Sequence, residues 1–332
     1  MIKVAVTGAG AVLGQGIIKS LKMAPCDYEV VALDPNPLSP GLYWANSHRL
    51  IPMAKDHDYC AAIEAMLDVE RPDAVLVGTD VELGIFARNR ALWEARFGTR
   101  VVVSSPEIVA IADDKLATSR WLEANGLPFP TTAPGEAGDE IEKLIALHGF
   151  PLIVKPRQGA RAVGVSLVHD RDGLRAALDG RQRLIVQQWA GPDDEEYTAG
   201  IICFDDEVSA SIVLRRDLRD GNTFRAYSDD YPDCVAYVRR VAKALQPYGP
   251  ANLQFRRGHD GQFRLFEINA RFSGTTPMRA LLGFNEVHMV LQKLLTSKPI
   301  EQPQVAKGTV VRFLEEQLLP ADRDPQVWAA AS

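Results

Sequence analysis

Within roughly the first hundred residues, short apolar β-rich runs alternate with segments of helical length, and this alternation restricts the fold more than any other feature. Residues 3–7, 30–33, 74–77 and 101–103 read as strands with helix-length segments between them. That order predicts a parallel, doubly wound sheet. Its first turn, Gly8-Ala9-Gly10-Ala11-Val12-Leu13-Gly14, is a glycine-rich crossing from strand to helix, and Asp34 ends the second strand. In a dinucleotide-binding fold such an acid holds a ribose. An NAD-dependent oxidoreductase is therefore one reading, although Gly-x-Gly-x-x-x-Gly is one residue longer than the usual dinucleotide spacing.

Beyond this region the pattern changes. Asp113-Asp114-Lys115 opens a helix that Asn125-Gly126 closes, with Pro128 and Pro130 following, so both start and stop signals are present. A strand near 129–132, a helix over 138–148, strands over 151–156, 165–168 and 183–188, and a helix near 174–178 form an α+β segment. Gly191-Pro192-Asp193-Asp194 breaks the pattern, and from Glu196 the chain is mostly β, with strands at 197–203 and 208–214 and a helix over 234–246. The expected division is 1–112, 113–188, 189–300 and a proline-containing surface extension over 301–332.

Near the end lies Phe266-Glu267-Ile268-Asn269-Ala270-Arg271, with Gln254 thirteen residues before Glu267. A strand alternates its faces, so Glu267 and Asn269 point one way while Phe266 and Ile268 point to the core. Gly258-His259-Asp260-Gly261 reads as a hairpin turn to the upstream strand 251–255. Counting back from it sets Gln254 opposite Leu265, one diagonal step from Glu267 and on its face. Gln254, Glu267 and Asn269 then suit Mg²⁺, which takes one or two carboxylates and fills its remaining positions with phosphate oxygens. Mn²⁺ is the alternative ion.

Other polar residues sit where an anion can be met. Lys155 follows an apolar strand and precedes Pro156, so the strand aims its ammonium while the proline turns the chain out of the sheet. The loop beyond carries Gly159, Gly164, Arg157 and Arg161, able to fold backbone N–H groups over phosphates. Gln187-Gln188-Trp189-Ala190 link two β layers, where backbone groups can read an adenine edge, and Glu196 can accept from ribose hydroxyls.

Taken together, Lys115, Lys155-Pro156, Gln187 to Tyr197, Gln254 and Glu267-Ile268-Asn269-Ala270-Arg271 resemble the ATP-grasp superfamily over about residues 1–300. The chain looks most like one synthetase unit of the carbamoyl-phosphate synthase large chain and its free-standing relatives, those of pyrrolysine-type biosynthesis included. The resemblance implies a Rossmann-like pre-ATP-grasp domain that lines the cleft without binding NAD, followed by a two-subdomain ATP-grasp fold. It assigns Lys115 and Lys155 to the ATP phosphates, Gln187 and the backbone of Gln188, Trp189 and Ala190 to the adenine, Glu196 to the ribose, and Gln254, Glu267 and Asn269 to the metal. Arg271 faces the transferred phosphoryl group, with Ser273 and Thr275 near the substrate. Gly274 stands where some relatives have a second arginine, and Arg161-Ala162 where many have Gly-Ser, so Arg161 takes part of the loop's anion work.

The activity implied is ADP-forming ligation of a small acidic substrate to an amine or thiol through an acyl phosphate. Arg215, Arg216, Arg219 and Arg225 are candidate carboxylate clamps because a guanidinium pairs a carboxylate bidentately. Thr79, Asp80 and Glu82, after a parallel strand, are candidates for an amine substrate. A nucleotide-binding regulatory module without turnover is a further alternative. The formal charge of −6 over 332 residues and a pI near 5.6 speak against nucleic acid or an anionic membrane as partner. Scattered Cys26, Cys60, Cys203 and Cys234 fit buried thiols of a cytoplasmic enzyme; a homodimer is implied only by the resemblance, since related ligases are often dimers.

Overall fold

The alternation of the N-terminal region closes into a parallel sheet. In the computed structural model, which describes residues 1–159, 162–205 and 207–319, β1 (Ile2–Val6), β2 (Tyr28–Asp34), β3 (Ser47–Leu50), β4 (Ala74–Leu76) and β5 (Arg100–Val102) pair in the order β3-β2-β1-β4-β5. Helices α1 (Val12–Lys22), α2 (Tyr59–Glu70) and α3 (Asp80–Phe97) provide crossovers. Alternation along β1 sends Val4 and Val6 to one core with Ile17 and Ile18, and Ala5 to another with Ile63, Phe86 and Trp93. Each large aliphatic side chain so buried stabilises the fold by about 1.5–3 kcal/mol. The exposed edge strand β3, Ser-His-Arg-Leu, has no apolar run and left no pattern to read. Strand order reverses between β1 and β4, where open α/β sheets form a crevice.

Two helices follow: α4 (Pro106–Asp113) and α5 (Lys115–Ala124). Asp114 separates them and caps α5, its Oδ1 accepting from the N–H of Leu116 at 2.9 Å and of Ala117 at 3.3 Å. The Ser105 hydroxyl and Pro106 begin α4 in the same manner. Then β6 (Thr132–Pro134), β7 (Leu152–Pro156), β8 (Ser166–Val168) and β9 (Leu184–Gln188) build a four-stranded antiparallel sheet, β6-β9-β7-β8. Ile141 and Leu144 of α6 (Gly138–His148) and Leu174 of α7 (Arg171–Leu178) cover its core face.

The third sheet is antiparallel and six-stranded: β10 (Glu196–Phe204), β11 (Glu207–Arg219), β12 (Asn222–Ser228), β13 (Gly249–Arg257), β14 (Phe263–Asn269) and β15 (Gly308–Val311), in the order β14-β13-β10-β11-β12-β15. On one face, Val238 and Val241 of α8 (Pro232–Leu245) pack on Leu253 and Phe255. On the other, Ile202, Ile212 and Leu214 share one core with Ile17, with Met278 of α9 (Thr276–Leu281) and with Val287 and Leu291 of α10 (Glu286–Thr296). That core ties the parallel sheet to the large one, so the cleft between them has a fixed geometry.

Two expectations change. Residues beyond 301 were to form a surface extension, yet 308–311 pair with β12 and complete the sheet. Cys203 and Cys234 are buried as expected, whereas Cys26 and Cys60 are exposed. Among the described residues, no helix is long and apolar enough to cross a membrane.

Candidate active site

One cavity of about 1190 Å³ lies where the three sheets meet. Its floor includes the β13–β14 hairpin, in a register that differs from the sequence reading. Gln254 pairs directly with Glu267, and Phe255 with Leu265, which leaves Phe266 as an extra residue in a β-bulge. Because the bulge interrupts alternation, Phe266 turns into the cavity beside Glu267 instead of into the core, while Ile268 stays fully buried. The Lys155 ammonium lies 5.4 Å from the Phe266 ring centroid.

A continuous polar chain crosses this floor. Arg216 sits beside Glu196 and donates to its Oε1 at 2.6 Å and to Gln254 Oε1 at 2.6 Å. Arg256 holds the other oxygen of Glu196, at 2.6 Å. Burial alone would raise the Glu196 carboxyl, but Arg216 and Arg256 overcome it and hold it below the usual carboxylate range. The amides of Gln254 and Asn269 both donate to Glu267 Oε1, at 3.1 and 2.9 Å. Glu267 Oε2 accepts no hydrogen bond from the described residues. Arg271 donates to Asn269 Oδ1 at 2.9 Å and forks onto Asp80, Nε to Oδ1 at 2.7 Å and Nη2 to Oδ2 at 3.0 Å.

The parallel sheet supplies the facing wall through its β1/β4 crevice. Gly8 has φ +59°, and a Cβ there would meet Thr79 Cγ2 at 2.3 Å, while one on Gly78 would meet the Thr7 carbonyl at 2.0 Å. Only glycine lets the two loops approach so closely. Behind them Glu82 accepts from Thr7 and Thr79 hydroxyls at 2.6 Å each and from Tyr59 at 2.5 Å. Burial raises its carboxyl against those three hydroxyls. Glu82 therefore staples the crevice from inside and does not face the cavity, whereas Thr79 and Asp80 line it. Asp34 is likewise committed: Oδ2 accepts from Gly10 N–H at 2.7 Å, and Oδ1 from Asn36 N–H and the Ser39 hydroxyl at 2.9 and 2.6 Å. The ribose-binding acid that an NAD site needs is spent on the glycine turn.

The four-stranded sheet covers the cavity from the other side. Lys155 is only 6% exposed, and its ammonium has no hydrogen-bond acceptor among the described residues. Burial, followed by the charge of Lys115, lowers its pKa to about 7. Lys115 donates to the Gly159 carbonyl at 2.9 Å, tying α5 to the glycine loop. Gln187 is buried against the Thr132 hydroxyl at 2.8 Å, and Gln188 Oε1 accepts from Thr131 N–H at 3.2 Å. Both glutamine side chains thus hold β6 to β9, and the following backbone passes Trp189 and Ala190 along the cavity edge.

Lys115, Lys155, Gln187, Gln188, Trp189, Ala190, Glu196, Gln254, Glu267, Asn269, Arg271, Ser273 and Thr275 therefore share one cavity. Arg161 lies outside the described residues. Arg215 and Arg225 fall outside the cavity: Arg215 is opposite Tyr197 in the pairing of β10 with β11 and stacks on Tyr227, and Arg225 is exposed beside Asp217. The neighbouring Arg216 has the inward parity, a fact legible from the core position of Tyr197. Sequence reading missed Asn252 and Arg312. Arg312 follows β15, lines the cavity and donates to the Gly274 carbonyl, with no carboxylate partner among the described residues. Burial lowers its pKa.

Family models agree with this layout. A PylC-like N-terminal domain matches residues 4–102, a RimK-like ATP-grasp domain 112–229, and an ATP-grasp domain described from a biosynthetic pathway with the Ter operon 183–317. The carbamoyl phosphate synthase large chain of Thermomicrobium roseum is 26% identical over 88% of this chain and 29% of its own length. A D-alanine–D-alanine ligase of Ectopseudomonas mendocina is 30% identical over 48% of this chain and 56% of its own. The chain thus spans under a third of the synthase and just over half of the ligase. Among solved structures, N5-carboxyaminoimidazole synthetase of Staphylococcus aureus complexed with ADP superposes with a TM-score of 0.76 at 16% identity, covering 94% of this chain and 82% of that one. An L-amino acid ligase from Bacillus licheniformis gives 0.67 at 18% identity, covering 91% and 75%. With a PylC-like domain forming one wall of the cleft and ATP-grasp models spanning 112–317, the chain belongs to the ATP-grasp superfamily and resembles a synthetase unit of the carbamoyl phosphate synthase large chain.

Proposed function

We propose that the cavity binds Mg²⁺-ATP and ligates a small carboxylic acid to an amine through an acyl phosphate. The observation that carries this reading is the convergence of an unpaired buried cation, Lys155, with the Glu267 hairpin and Arg271 on one cavity. A substrate carboxylate attacks the γ-phosphorus and ADP leaves. The amine then adds to the acyl carbon and expels phosphate, giving up a proton. Lys155 and Lys115 face the phosphate charge, and Arg271 the oxygens that gain charge in transfer. Closure of the glycine loop excludes water from the labile acyl phosphate.

The hairpin fits a hard divalent cation in donor type, since Glu267 offers a free carboxylate oxygen between two side-chain amides. When bound, the ion would neutralise phosphate charge there. Gln254 and Asn269 direct their oxygens to Arg216 and Arg271, so both amides turn over to serve as ligands.

Arg312 extends the reading to the acid. Among the described residues the cavity arginines without a carboxylate partner are the exposed Arg88 and the half-buried Arg312, whereas Arg216, Arg256 and Arg271 are each paired with one. A substrate carboxylate supplies that partner. The same proposal includes a homodimer, which light scattering on the purified protein tests.

Incubation with Mg²⁺-ATP and pooled acids and amino acids is expected to release phosphate, and Lys155→Ala or Glu267→Ala to abolish release. Phosphate release that survives both substitutions would refute the assignment. Thermal shifts with ATP but none with NADH are expected.

A further inference from the structure

Beneath the hairpin lies a charge pair that the proposed chemistry does not use. Arg279 of α9 is fully buried, and its Nη1 meets Glu286 Oε1 and Oε2 of α10 at 3.0 and 3.2 Å. Glu286 is 1% exposed and also accepts from the Thr276 hydroxyl. Two charges in a core seldom add net stability over apolar side chains of the same volume, so the second arm of the guanidinium is informative. Arg279 Nη2 reaches across the sheet to Asn252 Oδ1, and to the Thr198 hydroxyl at 3.3 Å. Gly200 makes the reach possible, since a Cβ there would lie 2.5 Å from Arg279 Nη1.

A guanidinium only donates, so it fixes which end of the Asn252 amide faces it. Thr198 adds a second donor to the same oxygen, at 2.9 Å. The Asn252 NH₂ is left for the other side. Asn252 is 2% exposed and lines the cavity, its NH₂ donates to no described residue, and it pairs in register with Asn269 at the end of β14. Without Arg279 only the Thr198 hydroxyl remains at that end, and a hydroxyl can donate or accept, so either end of the amide can face the cleft.

We infer that Arg279 is a positioning residue: through Asn252 Oδ1 it holds the amide NH₂ toward the cavity, where it meets an oxygen of the bound Mg²⁺-nucleotide. Glu286 keeps Arg279 charged and in place, and Gly200 is the notch that admits it. The nucleotide part of this inference rests on the proposed function; the amide orientation does not.

Arg279→Lys keeps the charge opposite Glu286 but cannot span both partners. The Arg279→Met/Glu286→Leu pair removes both charges together and serves if the lysine variant folds poorly. The side-chain ¹⁵N–¹H signals of Asn252, assigned by their loss in Asn252→Ala, are followed in the nucleotide-free protein. One restrained NH₂ pair is expected in the parent chain and averaged or doubled signals in whichever variant is folded; unchanged signals in a folded variant overturn the inference. Titration with Mg²⁺-AMPPNP is expected to weaken roughly tenfold in the variant and in Asn252→Ala alike, with no further loss when the two are combined. Independent, multiplying losses would overturn transmission through Asn252. A parent chain that binds no Mg²⁺-AMPPNP counts against the nucleotide reading, while the amide signals still decide the positioning role.

Discussion

Asp80 and Arg271, separated by 191 positions, meet in a two-pronged ion pair, Nε to Oδ1 at 2.7 Å and Nη2 to Oδ2 at 3.0 Å. The pair joins the first turn of α3, on the parallel sheet, to the end of β14 in the β13–β14 hairpin, and Arg271 also touches Asn269. Its strength is modest because Asp80 is 41% exposed. Its value is directional: the planar guanidinium is held at the cleft before a ligand arrives.

Asp80→Asn keeps a polar partner but removes the charge, so Arg271 is free to swing. Turnover is expected to fall about tenfold, equivalent to ~1.4 kcal/mol in the transition state. Mg²⁺-ATP affinity should change less than about twofold on the same reasoning. Steady-state phosphate release against ATP concentration separates the two; a pure loss of ATP affinity would place Arg271 at the ground-state nucleotide instead.

Lys155 makes a pH prediction whose sign follows from its environment. Burial, then Lys115, lowers its pKa to about 7, against an ordinary value of 10.5. Below about pH 7 the amine is charged in both folded and unfolded chains and the burial penalty is full. Between the two values the unfolded chain binds the extra proton, so stability from this group rises with pH across that window. Phosphate arriving beside the amine restores the charge. Binding of Mg²⁺-ATP is therefore expected to take up nearly one proton at about pH 8 and almost none at about pH 6. Calorimetry in buffers of differing ionisation enthalpy measures this. Lys155→Met should abolish the uptake and raise Tm at acid pH by at least roughly 2–4 °C, the shift expected for about 1 kcal/mol.

Glu196 behaves in the opposite sense. Burial disfavours its charge, but Arg216 and Arg256 win and hold the pKa below the ordinary 4.5. Its stabilisation is present above the ordinary value and is lost as pH falls through the folded one. Glu196→Gln leaves the buried Arg216 without a counter-charge and Arg256 with only the exposed Asp193, and is expected to destabilise by about 3–5 kcal/mol at neutral pH. Thermal unfolding over pH 3–7 should show the gap to the parent chain narrowing toward acid; a constant gap would mean that the pair acts by packing alone.

Much of this geometry is legible in the sequence because it is local. Lys155 before Pro156, the helix over 138–148, and the shared face of Glu267 and Asn269 each follow from periodicity and turn chemistry within a few residues. The bulge at Phe266 has no such signature, since one extra residue in a strand alters neither composition nor strand propensity. Parity has to be read across the sheet: Arg215 and Arg216 are adjacent candidates, and only the core position of Tyr197, paired with Arg215, decides that Arg216 enters the cavity. Asp80 with Arg271 depends on how the parallel sheet meets the large one, and Arg279 with Asn252 on α9 packing against that large sheet, and no local pattern announces either. Glu82 shows the reverse failure, a carboxylate correctly sited after β4 whose three hydroxyl donors turn it inward.

Arg312 is the hardest of these to foresee, because β15 has only four residues and its partner β12 lies more than eighty positions upstream. The Arg312 N–H donates to the Phe224 carbonyl at 2.8 Å, continuing that pairing by one residue and carrying the guanidinium to the cavity beside Gly274. A carbonyl satisfies its geometry without neutralising its charge, so a carboxylate arriving there gains a charge-assisted bond at little reorganisation cost. Arg312→Gln is expected to raise KM for the acid substrate by roughly 10–100-fold, the effect of losing about 1.5–3 kcal/mol. KM for ATP should stay within about twofold, because the proposed phosphate contacts, Lys115 of α5 and Lys155 of β7, lie on the other side of the cavity. Arg312→Lys should recover part of the loss, since it restores charge but not the bidentate fork. The acid found by phosphate-release screening provides the assay; an equal rise in both KM values would assign Arg312 to the nucleotide and leave the carboxylate to Arg271.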